Sequence, residues 1–195
     1  MTRVLRIDEH DLGLTWVIDE AMQRASHALV DDGRVWLIDP VDVPEAVERA
    51  GGLGTIAGVL QLLDRHPRAC EELARRFRVP HVRLPDALPG TPFDVVTVVD
   101  VPKWREKALW WRDRDALVVA EAVGTGPMFG DPAGIHVFLR LKPPGVLRDY
   151  DPQHLLVGHG PAIHGPQAKR ALETAYRRSR LDLPKTLVKL PFAMR

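Results

Sequence analysis

The chain is short of the residues that thiol and hydroxyl chemistry require. It has one cysteine, Cys70, which excludes an internal disulfide and any cysteine-rich zinc site. Cys70 is expected in a helix beside Glu71 and Glu72, where negative charge disfavours a thiolate. Serine occurs only as Ser26 and Ser179, and there is no G-x-S-x-G elbow, which argues against a serine hydrolase. Gly51-Gly52-Leu53-Gly54 lacks the G-x-G-x-x-G spacing and follows a predicted helix, so it reads as a turn and not a phosphate loop. No apolar run approaches the roughly 18 residues that cross a bilayer. The first residues, Met1 to Gly13, carry acidic side chains where a signal peptide has an apolar core, so the expected location is cytoplasmic. Asparagine is absent, and 21 arginines stand against 6 lysines, a bias that suggests a GC-rich bacterial genome.

What remains is the composition of a globular protein. Hydrophobic residues make up 45% and charged residues 27% of 195 positions, enough for one full-sized core and cramped for two. The expected organisation is a single domain over 1–195 with a basic tail at about 183–195. A net charge of +1 argues against a general nucleic-acid footprint. Residues 1–60 hold 11 acidic and 5 basic side chains, and 61–195 hold 15 and 22. We read that asymmetry as two solvated faces of one domain.

Short aliphatic segments at Val4–Ile7, Leu14–Ile18, Ser26–Val30 and Arg34–Ile38 predict strands, the last two joined by the hairpin signal Asp31-Asp32-Gly33. A strand–helix rhythm follows: helix at Val43–Ala50, strand at Ile56–Leu63, helix at Pro67–Phe77, strand at Arg78–Leu84. Val95–Val99, Lys107–Trp111 and Ala116–Ala120 predict further strands, with Trp110 and Trp111 as core and surface neighbours. Residues 121–147, rich in Gly and Pro, form a long excursion. A strand at Leu155–Val157 and a closing helix at Gly165–Asp182 complete the order, with Ala168, Ala171, Leu172 and Ala175 as its packing face. Two facing sheets with helices outside satisfy this order.

Four apolar strands end in polar or ionisable residues: Asp39 after Leu37-Ile38, Asp64-Arg65-His66 after Leu62-Leu63, Glu121 after Val118-Val119-Ala120, and Gly158-His159-Gly160 after Leu156-Val157. Strand ends of layered α/β folds commonly converge on one crevice, and carboxylates with imidazoles suit a divalent metal.

In this order the signatures resemble the metallo-β-lactamase superfamily, over nearly the whole chain. Trp36–Pro40 is similar to its early strand, Gly158-His159-Gly160-Pro161 to its final-histidine loop, and Phe77-Arg78-Val79-Pro80 to the end of its first helix. Glu121 stands where the family has a metal-bridging Asp. The resemblance implies an α/β four-layer αβ/βα sandwich. The stretch Asp64-Arg65-His66-Pro67-Arg68-Ala69 departs from the family's H-x-H-x-D-H. His66 alone matches a ligand there, with Asp64 for the first His, Arg68 for the Asp and Ala69 for the last His. An isolated His is also missing from Pro102–Glu106.

The resemblance therefore implies at most one weakly held divalent ion (zinc, manganese or iron), or none. Its ligands would be His66, Glu121 and His159, with Asp64 or His164 as helpers, and Asp64 and Glu121 would be the candidate catalytic groups. Each residue also has a structural reading. His159 could bond its own loop backbone, Asp64 or His66 could cap the following helix, Glu121 could satisfy amides of Gly124–Gly126, and His164 could be an exposed loop residue. Two functions stay open: a hydrolase-like protein acting on a small molecule, and a non-catalytic binding module for a protein partner. Neither requires nucleic acid or a membrane, and both allow an oligomer.

Overall fold

The computed structural model describes residues 3–65 and 67–182, so His66 and the basic tail lie outside the described residues. The chain opens with β1 (Val4–His10), β2 (Gly13–Ile18), β3 (Ala25–Asp31) and β4 (Arg34–Ile38), an antiparallel meander. Its last turn places Asp32 at φ 48° and Gly33 at φ 70°, the left-handed pair that a two-residue hairpin needs. Then α1 (Pro44–Gly52), β5 (Thr55–Gln61), α2 (Cys70–Phe77) and β6 (His81–Arg83) add two parallel strands, completing a six-stranded sheet in sequential order.

The second half supplies β7 (Phe93–Val101), β8 (Trp104–Trp111) and β9 (Ala116–Val119). The excursion that follows contains the short pair β10 (Val123–Gly124) and β11 (Gly134–Ile135), plus two 3-10 turns at Val137–Leu139 and Gly145–Asp149. It ends in β12 (His154–Val157), β13 (Ile163–His164) and α3 (Gln167–Arg178). The second sheet runs β13-β12-β9-β8-β7, with β12 parallel to β9.

Both sheets are apolar on two faces, so their central strands read as continuous hydrophobic runs. In β4, Val35 and Leu37 pack with α1 and α2, whereas Trp36 and Ile38 face the second sheet. Leu109, Val118 and Leu156 meet them across the interior, all essentially inaccessible to water. Each such aliphatic side chain contributes about 1.5–3 kcal/mol of burial. On the outer faces, α1 and α2 bury Ala46, Val47, Leu73 and Ala74, and α3 buries Ala168, Ala171, Leu172 and Ala175 as the spacing predicted. Trp110 and Trp111 are both buried.

Three expected boundaries move, each for a backbone reason. α2 starts at Cys70 and not Pro67, because Arg68 adopts φ 47° and cannot join a right-handed helix. The strand expected from Arg78 starts at His81, because Arg78 caps α2 at φ 56°. α3 begins at Gln167, since Gly165 turns at φ 76°, and it ends at Arg178.

At the edge formed by the carboxyl ends of β4, β5, β9 and β12, the two sheets are joined by backbone bonds. Lys107 N donates to Leu62 O (2.8 Å), Asp64 N to Arg105 O (3.1 Å), Ala25 N to Gly158 O (2.8 Å) and Gly160 N to Gln23 O (2.7 Å).

Candidate functional site

One guanidinium, that of Arg68, reaches into this edge. Its left-handed backbone turns the side chain inward, where Nη1 donates to the carbonyls of Ala25 and Asp39 (2.7 Å to Asp39) and Nη2 to Gly158 O at 2.8 Å. A single guanidinium thereby ties β3, the end of β4 and the loop after β12. Gly158 has to be glycine: a Cβ would lie 2.0 Å from Ala120 O and 3.2 Å from the Arg68 guanidinium. Burial lowers the pKa of Arg68, while the Asp39 carboxylate acts to raise it. Asp39 also has left-handed backbone, φ 42°. Its Oδ1 accepts from Leu62 N at 2.9 Å, and burial pushes its pKa up to about 6 against the pull of Arg68. Two non-glycine residues held at positive φ in one edge store strain of about 1–3 kcal/mol each, a pattern typical of functional sites.

Nearer the surface lies a second cation. Arg65 Nη2 donates to Glu121 Oε2 at 2.6 Å, and its guanidinium lies 4.2 Å over the Trp104 ring. The other oxygen of Glu121 is 3.6 Å from His136 Nε2. His136 meets Trp104 edge-on at 4.8 Å and Phe129 at 5.9 Å, and Phe129 stacks on His159 at 5.5 Å. A contiguous line therefore runs from Trp104 and Arg65 through Glu121, His136 and Phe129 to His159. Beneath it, Glu106 is fully buried. It accepts from the amides of Glu121 (2.8 Å) and Ala122 (2.9 Å) and from the Trp104 indole at 3.1 Å. Burial raises its pKa to about 7 despite those three donors.

The structure brings Asp39, Glu121 and His159 to one edge, with Asp64 adjoining it and turned toward Arg105 at 3.6 Å. Asp64 does not cap α2, whose N-cap is Ala69 with no side-chain bond. Glu121 does not serve the Gly124–Gly126 loop: the amides of Thr125 and Gly126 donate to His159 O. His159 Nδ1 donates to Met22 O at 3.0 Å, close to the structural reading. His164 is corrected: it pairs with His154 at the start of β12, whereas His159 follows the end of that strand. His66 lies outside the described residues.

Sequence reasoning passed over Glu106, Trp104, His136 and Phe129. Glu106 had a signal, an acidic residue at an inward position of the alternating Trp104-Arg105-Glu106-Lys107. His136 and Phe129 had none, because they arrive on an irregular excursion.

As a setting for a dinuclear metal centre these residues do not fit. One Glu121 oxygen is held by Arg65, a buried guanidinium occupies the strand-end crevice, and among the described residues no three His, Cys, Asp or Glu side chains converge on a metal position. Two fixed positive charges within a few ångströms oppose a further cation.

No family model matches the sequence, and no curated protein does. Solved structures do. The DIM-1 metallo-beta-lactamase is similar at a TM-score of 0.57 and 12% identity, covering 92% of this chain and 98% of that one. TMB-1 gives 0.55 at 9% identity, covering 95% and 99%. A putative diflavin flavoprotein fragment from Nostoc sp. PCC 7120 gives 0.55 at 13%, covering 94% and 98%. The likeness is one of fold: this chain has the metallo-β-lactamase fold. Among the described residues, no helix is long and apolar enough to cross a membrane.

Proposed function

We propose that the chain is a metal-independent, non-catalytic binding module built on the metallo-β-lactamase fold. The observation that carries this reading is the seating of Arg68: its guanidinium joins three carbonyls from both sheets, in the stretch where the resemblance expects an acidic metal ligand. A protein-supplied cation does there what a bound ion would do structurally, drawing backbone oxygens together, and offers no open coordination position for activating water. Arg65 has the same relation to Glu121 nearer the surface. The patch formed by Arg65, Trp104, His136 and the exposed Phe138 is the surface we assign to the partner or small molecule.

A second reading, a hydrolase-like protein with one weakly held ion, draws support from the line joining Glu121 to His159 through His136 and Phe129. Titration calorimetry with zinc and manganese, plus elemental analysis of protein purified without chelator, separates the two. We expect well under one equivalent and no shift in melting temperature on adding metal. One equivalent, lost together with a hydrolytic activity in His159→Ala, would establish the second reading. Two tightly bound equivalents would sink both.

A further inference from the structure

Most arginines among the described residues are matched inside the protein by a carboxylate or a backbone carbonyl, as Arg24 is by Glu20 and Arg76 by Asp42. Three that are not share one cavity. It holds about 760 Å³ between α3 and the segment 143–151, and no residue of the candidate site lines it. Arg148 lies over the Tyr176 ring, 5.7 Å from its centre, and holds no anion. Arg177 reaches the Thr174 hydroxyl at a long 3.4 Å. The Arg180 guanidinium bonds to no side chain or carbonyl among the described residues.

The cavity also has carboxylates, and they are unevenly placed. Near the start of α3, Lys169 Nζ holds Asp151 at 2.7 Å, and Glu173 faces the same ammonium. Asp149 lies with Arg148 beside Tyr176. Around Tyr176 and the end of α3, three guanidinia therefore stand against one carboxylate, an excess of two positive charges. Two tyrosine rings form the walls. Tyr150 packs on Trp110 at 5.0 Å, and the Tyr176 hydroxyl donates to Pro144 O, tying the 3-10 turn Gly145–Asp149 to α3. The cavity is thus held open by contacts within the protein.

A space of this volume suits a small organic ligand. Planar guanidinium donors without protein partners match the oxygens of a phosphate, and stacking on Tyr176 holds Arg148 ready to present its edge. A phosphomonoester carries a charge of about −1.5 to −2 near neutral pH, close to the local excess. The tyrosine faces offer a planar ring an offset-stacking surface. We propose that this cavity binds a phosphomonoester that carries a planar ring. Arg148, Arg177 and Arg180 take the phosphate, and Tyr150 and Tyr176 take the ring. The site is separate from the Arg65–Trp104–His136 patch and stands whatever that patch binds.

The test is calorimetric titration of the full chain with adenosine monophosphate, inorganic phosphate and adenosine. Adenosine monophosphate should saturate one site and bind about tenfold or more tighter than either part alone. Arg148→Gln, and Arg177→Gln combined with Arg180→Gln, should each weaken it by about tenfold or more. Arg170→Gln removes a cation of the same helix from outside the cavity and should leave affinity within about twofold. All four arginines are exposed, so none of these changes touches the core. In NMR spectra the ligand should shift the amides of Tyr150 and Arg177 and leave that of His159 in place. No saturation by about 10 mM, phosphate or adenosine binding as tightly as the whole ligand, an equal loss in Arg170→Gln, or shifts centred on His159 would overturn the proposal.

Discussion

At the carboxyl end of β12 the buried polar groups are cations held by carbonyls and carboxylates; beside its body they are neutral imidazoles. Both regions join the same two sheets. Arg68 reaches Ala25, Asp39 and Gly158, and His27 reaches Val157, one residue earlier. The difference lies in what each tolerates. A guanidinium stays charged across all ordinary pH, so the bonds of Arg68 do not titrate, whereas burial lowers the pKa of His27 to about 3 and keeps its imidazole neutral in the fold. One join is charged and the other neutral, and they meet at the peptide between Val157 and Gly158.

The largest test of this contrast removes the charged join. Arg68→Ala leaves three carbonyls and the buried Asp39 carboxylate without their cation. We expect a loss of about 3–5 kcal/mol in urea denaturation. Arg68→Lys should lose less, because an ammonium keeps the positive charge, although it cannot span the three oxygens as a planar fork does. A cost below about 1 kcal/mol for the alanine variant would mean that the backbone bonds alone hold the edge.

A smaller effect concerns Glu106, whose pH response opposes that of His27. Its folded pKa, about 7, is raised above the ordinary 4.5. Its contribution is therefore complete below about 4.5 and is lost as pH rises through 7. Glu106→Gln should remove a slope of at most about 1.4 kcal/mol per pH unit in that window. Melting curves between pH 4.5 and 8 measure it; parallel profiles for the two proteins would show that Glu106 ionises normally. The smallest effect belongs to Arg65, about one third exposed over Glu121. Arg65→Ala should cost about 1 kcal/mol or less, discounted for solvent screening, yet change Trp104 fluorescence by removing the cation over its ring. Unaltered emission would argue against that stacking.

The layout of the fold was legible because it rests on period and punctuation. The Asp31-Asp32-Gly33 turn, the apolar run Leu37-Ile38 and the Ala168, Ala171, Leu172, Ala175 stripe all behave as their spacing requires. The site was legible only where it sits at strand ends, as Asp39, Glu121 and His159 do. Arg68 read only as the replacement of an acidic ligand, because sequence does not show that a left-handed backbone aims it at three carbonyls. His164 read as a neighbour of His159 on separation alone, although β12 and its turn carry the two apart. His136 and Phe129 depend on the path of residues 121–147, which follows no period.

Cys70 begins α2 two residues after Arg68, buried, with its thiol pushed well above the ordinary range by burial and then by Asp39. As the chain's one sulfhydryl, it makes the native protein its own clock. A thiol reagent can modify it only during moments when α2 lifts from the sheet, so alkylation rate counts those moments without any engineered label. Run against pH and in Arg68→Ala, the same reaction would time how often this edge breathes and how much of its stillness a single buried cation provides.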